Sequence, residues 1–148
     1  MNKKKFKGKE SIITLESYLR EFIVENLDTI NIGGKALKLY ECEDGTTGIG
    51  LNTDVGVIDV LATDEEEHFV VFYLRMNKAN EATLGQTLKH MGWVKNKLAA
   101  DKKVLGIIVS REFDKNLKYA VTQVENVNLF QYKMEFNMEP VDIEETNL

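Results

Sequence analysis

The stretch HFVVFYLRMNKAN, residues 68–80, decides how this chain is folded. Its first nine residues are dominated by aromatic, β-branched and aliphatic side chains, the composition of a strand. Period two puts Phe69, Val71, Tyr73 and Arg75 on one side, and Val70, Phe72, Leu74 and Met76 on the other. The strand therefore reads as buried until it abruptly turns charged. A strand that only filled a core has no use for a guanidinium on the same side as Phe69 and Val71. The far end of this strand is expected to face a site.

Working outward, VGVIDVLA (55–62) reads as a second strand and TDEEE (63–67) as the turn joining the two. If the loop centres near residue 66, Asp59 lies opposite Tyr73, with Arg75 beside them. A carboxylate between Ile58 and Val60 needs partners, because an isolated buried charge is expensive. Arg75 is one candidate partner across the hairpin; a hard cation held by Asp59 is the other. Upstream, KALKLYECE (35–43) alternates weakly as a strand, after the Gly33-Gly34 break and before the DGTTG turn (44–48). A first helix is expected from Thr14, with Leu15, Tyr18, Leu19, Phe22, Ile23 and Leu27 recurring every three or four residues. Thr14 is placed to cap it, and Glu16 falls in its first turn, where negative charge suits the helix dipole.

Downstream, Glu81 to Leu98 reads as a helix with an apolar stripe of Leu84, Leu88, Met91 and Leu98. KKVLGIIVS (102–110) is a strand apolar on both faces, and DKNLKYAVTQV (114–124) a short helix capped by Asp114. The clearest strand is the last, NLFQYKMEFNM (128–138): Phe130, Tyr132, Met134, Phe136 and Met138 alternate with Leu129, Gln131, Lys133, Glu135 and Asn137. A meander followed by a crossover helix gives a mixed sheet with helices on its faces. Residues 1–12 are expected to be a mobile basic arm, 13–139 one domain and 140–148 an acidic tail.

The 148 residues suit one domain, and 43% hydrophobic with 29% charged residues excludes a disordered chain. The longest apolar runs, such as VLGIIV (104–109), fall far short of the roughly 20 residues of a membrane helix. No apolar stretch follows the basic N-terminus, so a secretory signal is not expected. A single cysteine, Cys42, excludes an internal disulfide and a multi-cysteine zinc site; the expected location is the cytoplasm. The net charge of −5 weighs against simple phosphate binding, although five lysines crowd the first nine residues. No phosphate-loop or dinucleotide fingerprint occurs.

Taken together, LESYLREFIVENLDTI (15–30), TDVGVIDVLATD (53–64), LGQTLKHMGWV (84–94), GIIVSREFDKNLKYA (106–120) and VNLFQYKMEF (127–136) resemble the PD-(D/E)XK nuclease superfamily, and within it the catalytic domain of NucS-like endonucleases. The resemblance implies an α/β, restriction-endonuclease-like αβββαβ core with a mixed central sheet flanked by helices, plus an extra C-terminal helix and strand. It also implies an Asp on the second core strand, matched by Asp59, a Gln on the following helix, matched by Gln86, and an acid at the head of the first helix, matched by Glu16. At the family's acid-x-Lys, this chain has Tyr73 and Arg75, and Val57 stands where a basic residue is common.

A phenol is neutral near pH 7 and a guanidinium stays protonated, so neither replaces a carboxylate ligand or a base. The expected function is a catalytically impaired nuclease-fold domain that binds nucleic acid or a protein partner through the remnant cleft. The expected site is Asp59, Gln86 and Glu16, with Arg75, Lys78 and Lys89 as nucleic-acid contacts. The alternative is an active Mg²⁺- or Mn²⁺-dependent endonuclease whose missing carboxylate has moved to Glu16, Asp54 or Glu41, the metal then held by Asp59 with Glu16; a structural or dimerisation module is the third. No cofactor is expected unless the domain is active. DNA or RNA, bound weakly, and a homodimer are left open as partners, and a membrane is not. His90 reads as a surface or rim residue, and Trp93 and Cys42 as packing residues.

Overall fold

The computed structural model describes the backbone of residues 8–30 and 34–145, with side chains over 15–30 and 34–144. Six strands make one sheet: β1 (Leu37–Leu39), β2 (Ile49–Thr53), β3 (Gly56–Asp64), β4 (Phe69–Ala79), β5 (Val104–Phe113) and β6 (Val127–Gln131). The strand order is β1-β3-β4-β5-β6, and β2 pairs with β3 beyond the end of β1. β1 and β2 each run antiparallel to β3, and β3 to β4; β4, β5 and β6 are parallel. Residues 1–7 of the expected N-terminal arm, and Gly33, lie outside the described residues.

β4 is central because both its faces are apolar. Phe69 and Val71 join the cluster under helix α2 (Glu81–Val94), with Met91, Val94 and Ile108. Val70, Phe72, Leu74 and Met76 join the cluster under helix α1 (Gly8–Glu25), with Ile23, Leu27 and Val109. Burying these side chains from both sides contributes roughly 1.5–3 kcal/mol for each large one. The α2 start is set locally: the Asn80 side chain accepts from the Ala82 and Thr83 amides, and Thr83 Oγ1 accepts from the Asn80 amide. Asp114 caps helix α3 (Lys115–Val121) by accepting from the Asn116 amide, as expected. The α2 axis continues through a π-helical turn, Lys95–Ala99.

Four expectations need correction. First, α1 begins at Gly8, so Thr14 lies inside the helix and is not its cap; Lys9 and Glu10 in the preceding turn are good helix formers. Second, its six-residue apolar stripe is wider than the sheet can cover: Leu19, Ile23 and Leu27 pack inward, while Tyr18 and Phe22 are 64% and 61% exposed. Third, β2 was not anticipated. Its turn into β3 is tied by Thr53, whose hydroxyl donates to the Gly56 carbonyl and accepts from the Val55 amide. Fourth, the last strand stops at Gln131, and residues 132–142 form no helix or strand. β6 is an edge strand, so no neighbour stands on its outer side to carry the ladder past Gln131.

Gly48 packs against β3 so closely that a Cβ there would sit within the van der Waals shell of the Leu61 carbonyl oxygen, a backbone atom that cannot rotate away. The Gly48 amide donates to the Tyr40 carbonyl, and the Leu61 amide donates to the Gly48 carbonyl, so this contact joins the β1 and β2 segments to the sheet. Gly48→Ala is expected to lower unfolding free energy by about 1–3 kcal/mol, read by urea denaturation; an unchanged midpoint would mean the approach is looser than described.

Candidate functional site

The central hairpin comes apart at Asp59. The β3–β4 ladder runs from Thr63↔Phe69 to Val60↔Phe72 and goes no further. Continuing that register by one step sets Asp59 opposite Tyr73, as the hairpin arithmetic predicts. Beyond it, β3 pairs only with β2 and β4 only with β5. Here the alternation of β3 also breaks: Ile58 packs into the α2-side cluster and Val60 into the α1-side cluster. The Leu74 amide, left without a strand carbonyl, donates to Asp59 Oδ2 at 2.9 Å. The carboxylate thus closes the fork where the two strands part.

The fork opens into a polar cavity of about 250 Å³. Asp59 and Tyr73 line it from the sheet, Arg75 from the strand beyond, Glu16 from α1, and Gln86, Lys89 and His90 from α2. Residues 59, 73, 75, 16, 86 and 89, singled out from sequence, are therefore brought together. Lys78 is not: it lies at another surface with Glu112 and Lys118. A bulge explains this, since the β4–β5 register shifts between Arg75 and Lys78 and turns the strand after Arg75. Asp54 accepts a 2.6 Å hydrogen bond from Trp93 Nε1 and does not line the cavity, and Glu41 lies beside a different one. Of the three carboxylates considered as relocated ligands, Glu16 alone reaches the site. Trp93 packs partly on the α2-side cluster, but its ring nitrogen is committed to Asp54.

The electrostatics differ from the expected salt link. Among the described residues the ion pair is Lys35–Glu66, with His68 Nε2 also near Glu66, and none joins Asp59 to Arg75. Arg75 is exposed and its side chain makes no hydrogen bond there. Its strand register carries it past the fork, so the guanidinium reaches the cavity rim and not the carboxylate. Burial pushes the Asp59 carboxyl up to about 6; the Leu74 amide and the Arg20 charge pull the other way, and the Glu16 charge adds to the rise. Arg20, one turn after Glu16 on α1, was not singled out from sequence; the i, i+4 spacing from Glu16 was its only signal.

His90 is the second surprise. It is 4% exposed, not a surface or rim residue, and its ring lies 5.7 Å from that of Tyr73 at 30°. Its Nδ1 has no partner among the described residues. Burial, then Lys89, holds its pKa below the ordinary imidazole value, so the ring is neutral at pH 7. Burial raises the Tyr73 phenol, with Arg75 opposing and Asp59 and Glu16 adding, so it too is neutral. The aromatic pair occupies the floor of the cavity where the resemblance places an acid.

This donor set is sparse for a hard divalent cation. Mg²⁺ asks for several oxygens in near-octahedral geometry and sheds water reluctantly. The cavity provides two carboxylates, Asp59 and Glu16, beside a neutral phenol. Among the described residues, no three His, Cys, Asp or Glu side chains gather as metal ligands. No described helix is long and apolar enough to cross a membrane.

No family model matches the chain. The Endonuclease NucS of Methanocaldococcus jannaschii is 30% identical over 96 residues, covering 64% of this chain and 32% of that protein. A repair endonuclease from Pyrococcus abyssi superposes with a TM-score of 0.59 at 18% identity, over 90% of this chain and 49% of that one. An EndoMS–dsDNA2 complex gives a TM-score of 0.60 at 20% identity, over 92% and 49%. EndoMS in its apo form gives 0.56 at 16%, over 92% and 50%. The chain thus has a NucS/EndoMS-like nuclease fold, and it spans about a third of the curated relative and half of the solved chains.

The raised Asp59 makes a signed prediction. The folded state holds its proton up to about pH 6, whereas an unfolded aspartate loses it near a pKa of about 3.9. The native state therefore binds more protons between these values, and stability falls as pH rises through that window. Asp59→Asn keeps an acceptor for the Leu74 amide and removes the charge. It is expected to raise stability at pH 7 by on the order of 2–3 kcal/mol, and to flatten the decline between about pH 4 and 6. Urea denaturation at pH 4.5 and 7 checks it; equal effects at both pH values would exclude a buried charge.

Proposed function

We propose that this domain binds the phosphate backbone of nucleic acid across the fork and does not hydrolyse it efficiently. The carrying observation is the exposed Arg75, free of any acidic partner among the described residues, at the rim of a cavity whose floor is a neutral Tyr73–His90 pair. An unpaired guanidinium can grip a phosphate with two parallel hydrogen bonds. Lys89 adds a second cation on α2, and Gln86 a neutral donor and acceptor beside it. The likeness of fold to an EndoMS–dsDNA2 complex supports DNA as the first ligand to try.

Hydrolysis at neutral pH needs an activated water and relief of charge on the phosphate. Arg75 stays protonated and cannot take a proton from water. The Glu16 charge adds to the cost of ionising Asp59. A second reading rests on Glu16: because it shares the cavity with Asp59, a relocated two-carboxylate site binding Mg²⁺ or Mn²⁺ would support endonuclease activity. The structural-module reading has no feature of the cleft in its favour.

Labelled single- and double-stranded DNA, titrated by fluorescence anisotropy, is expected to bind weakly, with affinity falling steeply as salt rises. Arg75→Ala and Lys89→Ala should each reduce the slope of log K against log salt by about one phosphate contact's worth, roughly 0.9 for duplex. Incubation with Mg²⁺ or Mn²⁺ should yield no product above that of Asp59→Ala. Cleavage that Asp59→Ala abolishes would establish the second reading; salt-independent or absent binding would remove nucleic acid altogether.

A further inference from the structure

The 11-residue alternation over 128–138 promises a long strand, yet only Val127–Gln131 is paired. Phe136 and Met138 are left 87% and 95% exposed. Earlier in the same segment, a cavity of about 480 Å³ runs between Phe130 and Met134 on one side and the outward Tyr18 and Phe22 of α1 on the other. Apolar and amphipathic side chains with period two, and no covering layer among the described residues, are a strand awaiting a neighbour.

We propose that this edge pairs with the same segment of a second copy of the chain, antiparallel, about a twofold axis at Met134. The backbone settles which groups are free. Gly106 donates to the Asn126 carbonyl and Tyr132 donates to the Ser110 carbonyl, so even-numbered residues from 126 to 132 turn their backbone groups to β5. Odd-numbered residues face the open edge. In a new antiparallel ladder odd residues must therefore meet odd residues, and the axis must pass through a residue and not between two.

The charges select the residue. An axis at Lys133 sets two lysines face to face, and an axis at Glu135 two glutamates; like charges directly opposite destabilise a pair. Met134 is the axis in this segment that sets both charges opposite their complement, Lys133 against Glu135 of the second copy and the reverse. The same register sets Gln131 against Asn137, Tyr132 against Phe136 and Phe130 against Met138. Tyr132 already packs on the α1-side cluster, so the apolar side chains of the added strand settle on that face, over Tyr18 and Phe22. A self-complementary patch of this kind gives a closed dimer, formed by strand addition. The inference is independent of what the fork binds.

Sedimentation of the full chain over a range of concentrations tests it. The expected result is a monomer–dimer equilibrium. Lys133→Glu and Glu135→Lys alone should each weaken the dimer roughly tenfold, and the two together should restore it. Both residues are exposed, so folding is untouched, which circular dichroism verifies. In a Cys42→Ser background, Met134→Cys should cross-link to a dimer on mild oxidation. A residue facing itself in a non-hydrogen-bonded pair has a Cα separation of about 4.5 Å, within reach of a disulfide. Phe136→Cys alone should not cross-link. A monomer at every concentration overturns the proposal, as does a dimer indifferent to both charge exchanges and to the cysteine at 134. Pairing only with a strand from another protein would also overturn it.

Discussion

A single hydrogen bond, from the Leu74 amide to the carboxylate of Asp59, holds the place where the central hairpin opens. Two strands that diverge leave backbone donors and acceptors unmatched, and a buried unmatched group costs about as much as the bond it lost. Asp59 answers that need with its side chain, so β3 can leave β4 and turn to β2. The cavity exists because of this departure. The cost is that the acid is carried out of water, which is why its pKa stands near 6.

The neighbours of that acid decide the chemistry. Glu16 arrives from the helix on one face, and Gln86, Lys89 and His90 from the helix on the other. A site with two acids and a buried imidazole whose Nδ1 has no partner among the described residues resembles a catalyst's inventory. The imidazole and phenol are both neutral and lie side by side in a tilted pair, and the cations stand at the rim. Charge at the rim and neutrality at the floor are the features on which the proposed grip on a phosphate rests.

The opposite edge of the sheet obeys a different constraint. A strand is stable when its backbone groups and its apolar face are both covered, and β6 has coverage on one side only. The outward half of the α1 stripe lies against the same uncovered volume as Tyr132 and Met134, while Phe136 and Met138 stand exposed further along. A pattern strong enough to announce a strand, in a place with nothing to pair it, locates a surface by what is missing beside it.

The sequence by itself determined the order of elements except β2, the two faces of β4, the Asp114 cap and the hairpin register that, extended one step past the ladder, sets Asp59 opposite Tyr73. These come from local periodicity and from the length of one turn, which neighbouring residues carry in full. It also supplied the roles assigned to residues 16, 59, 73, 75 and 86, through resemblance. Only the tertiary structure decided that Arg75 misses Asp59, that Lys78 turns away, that His90 is buried and that α1 leaves half its apolar stripe outside. Each of those depends on a bulge, a strand divergence or a neighbouring layer. Residues distant in the chain set such features, so no local pattern encodes them.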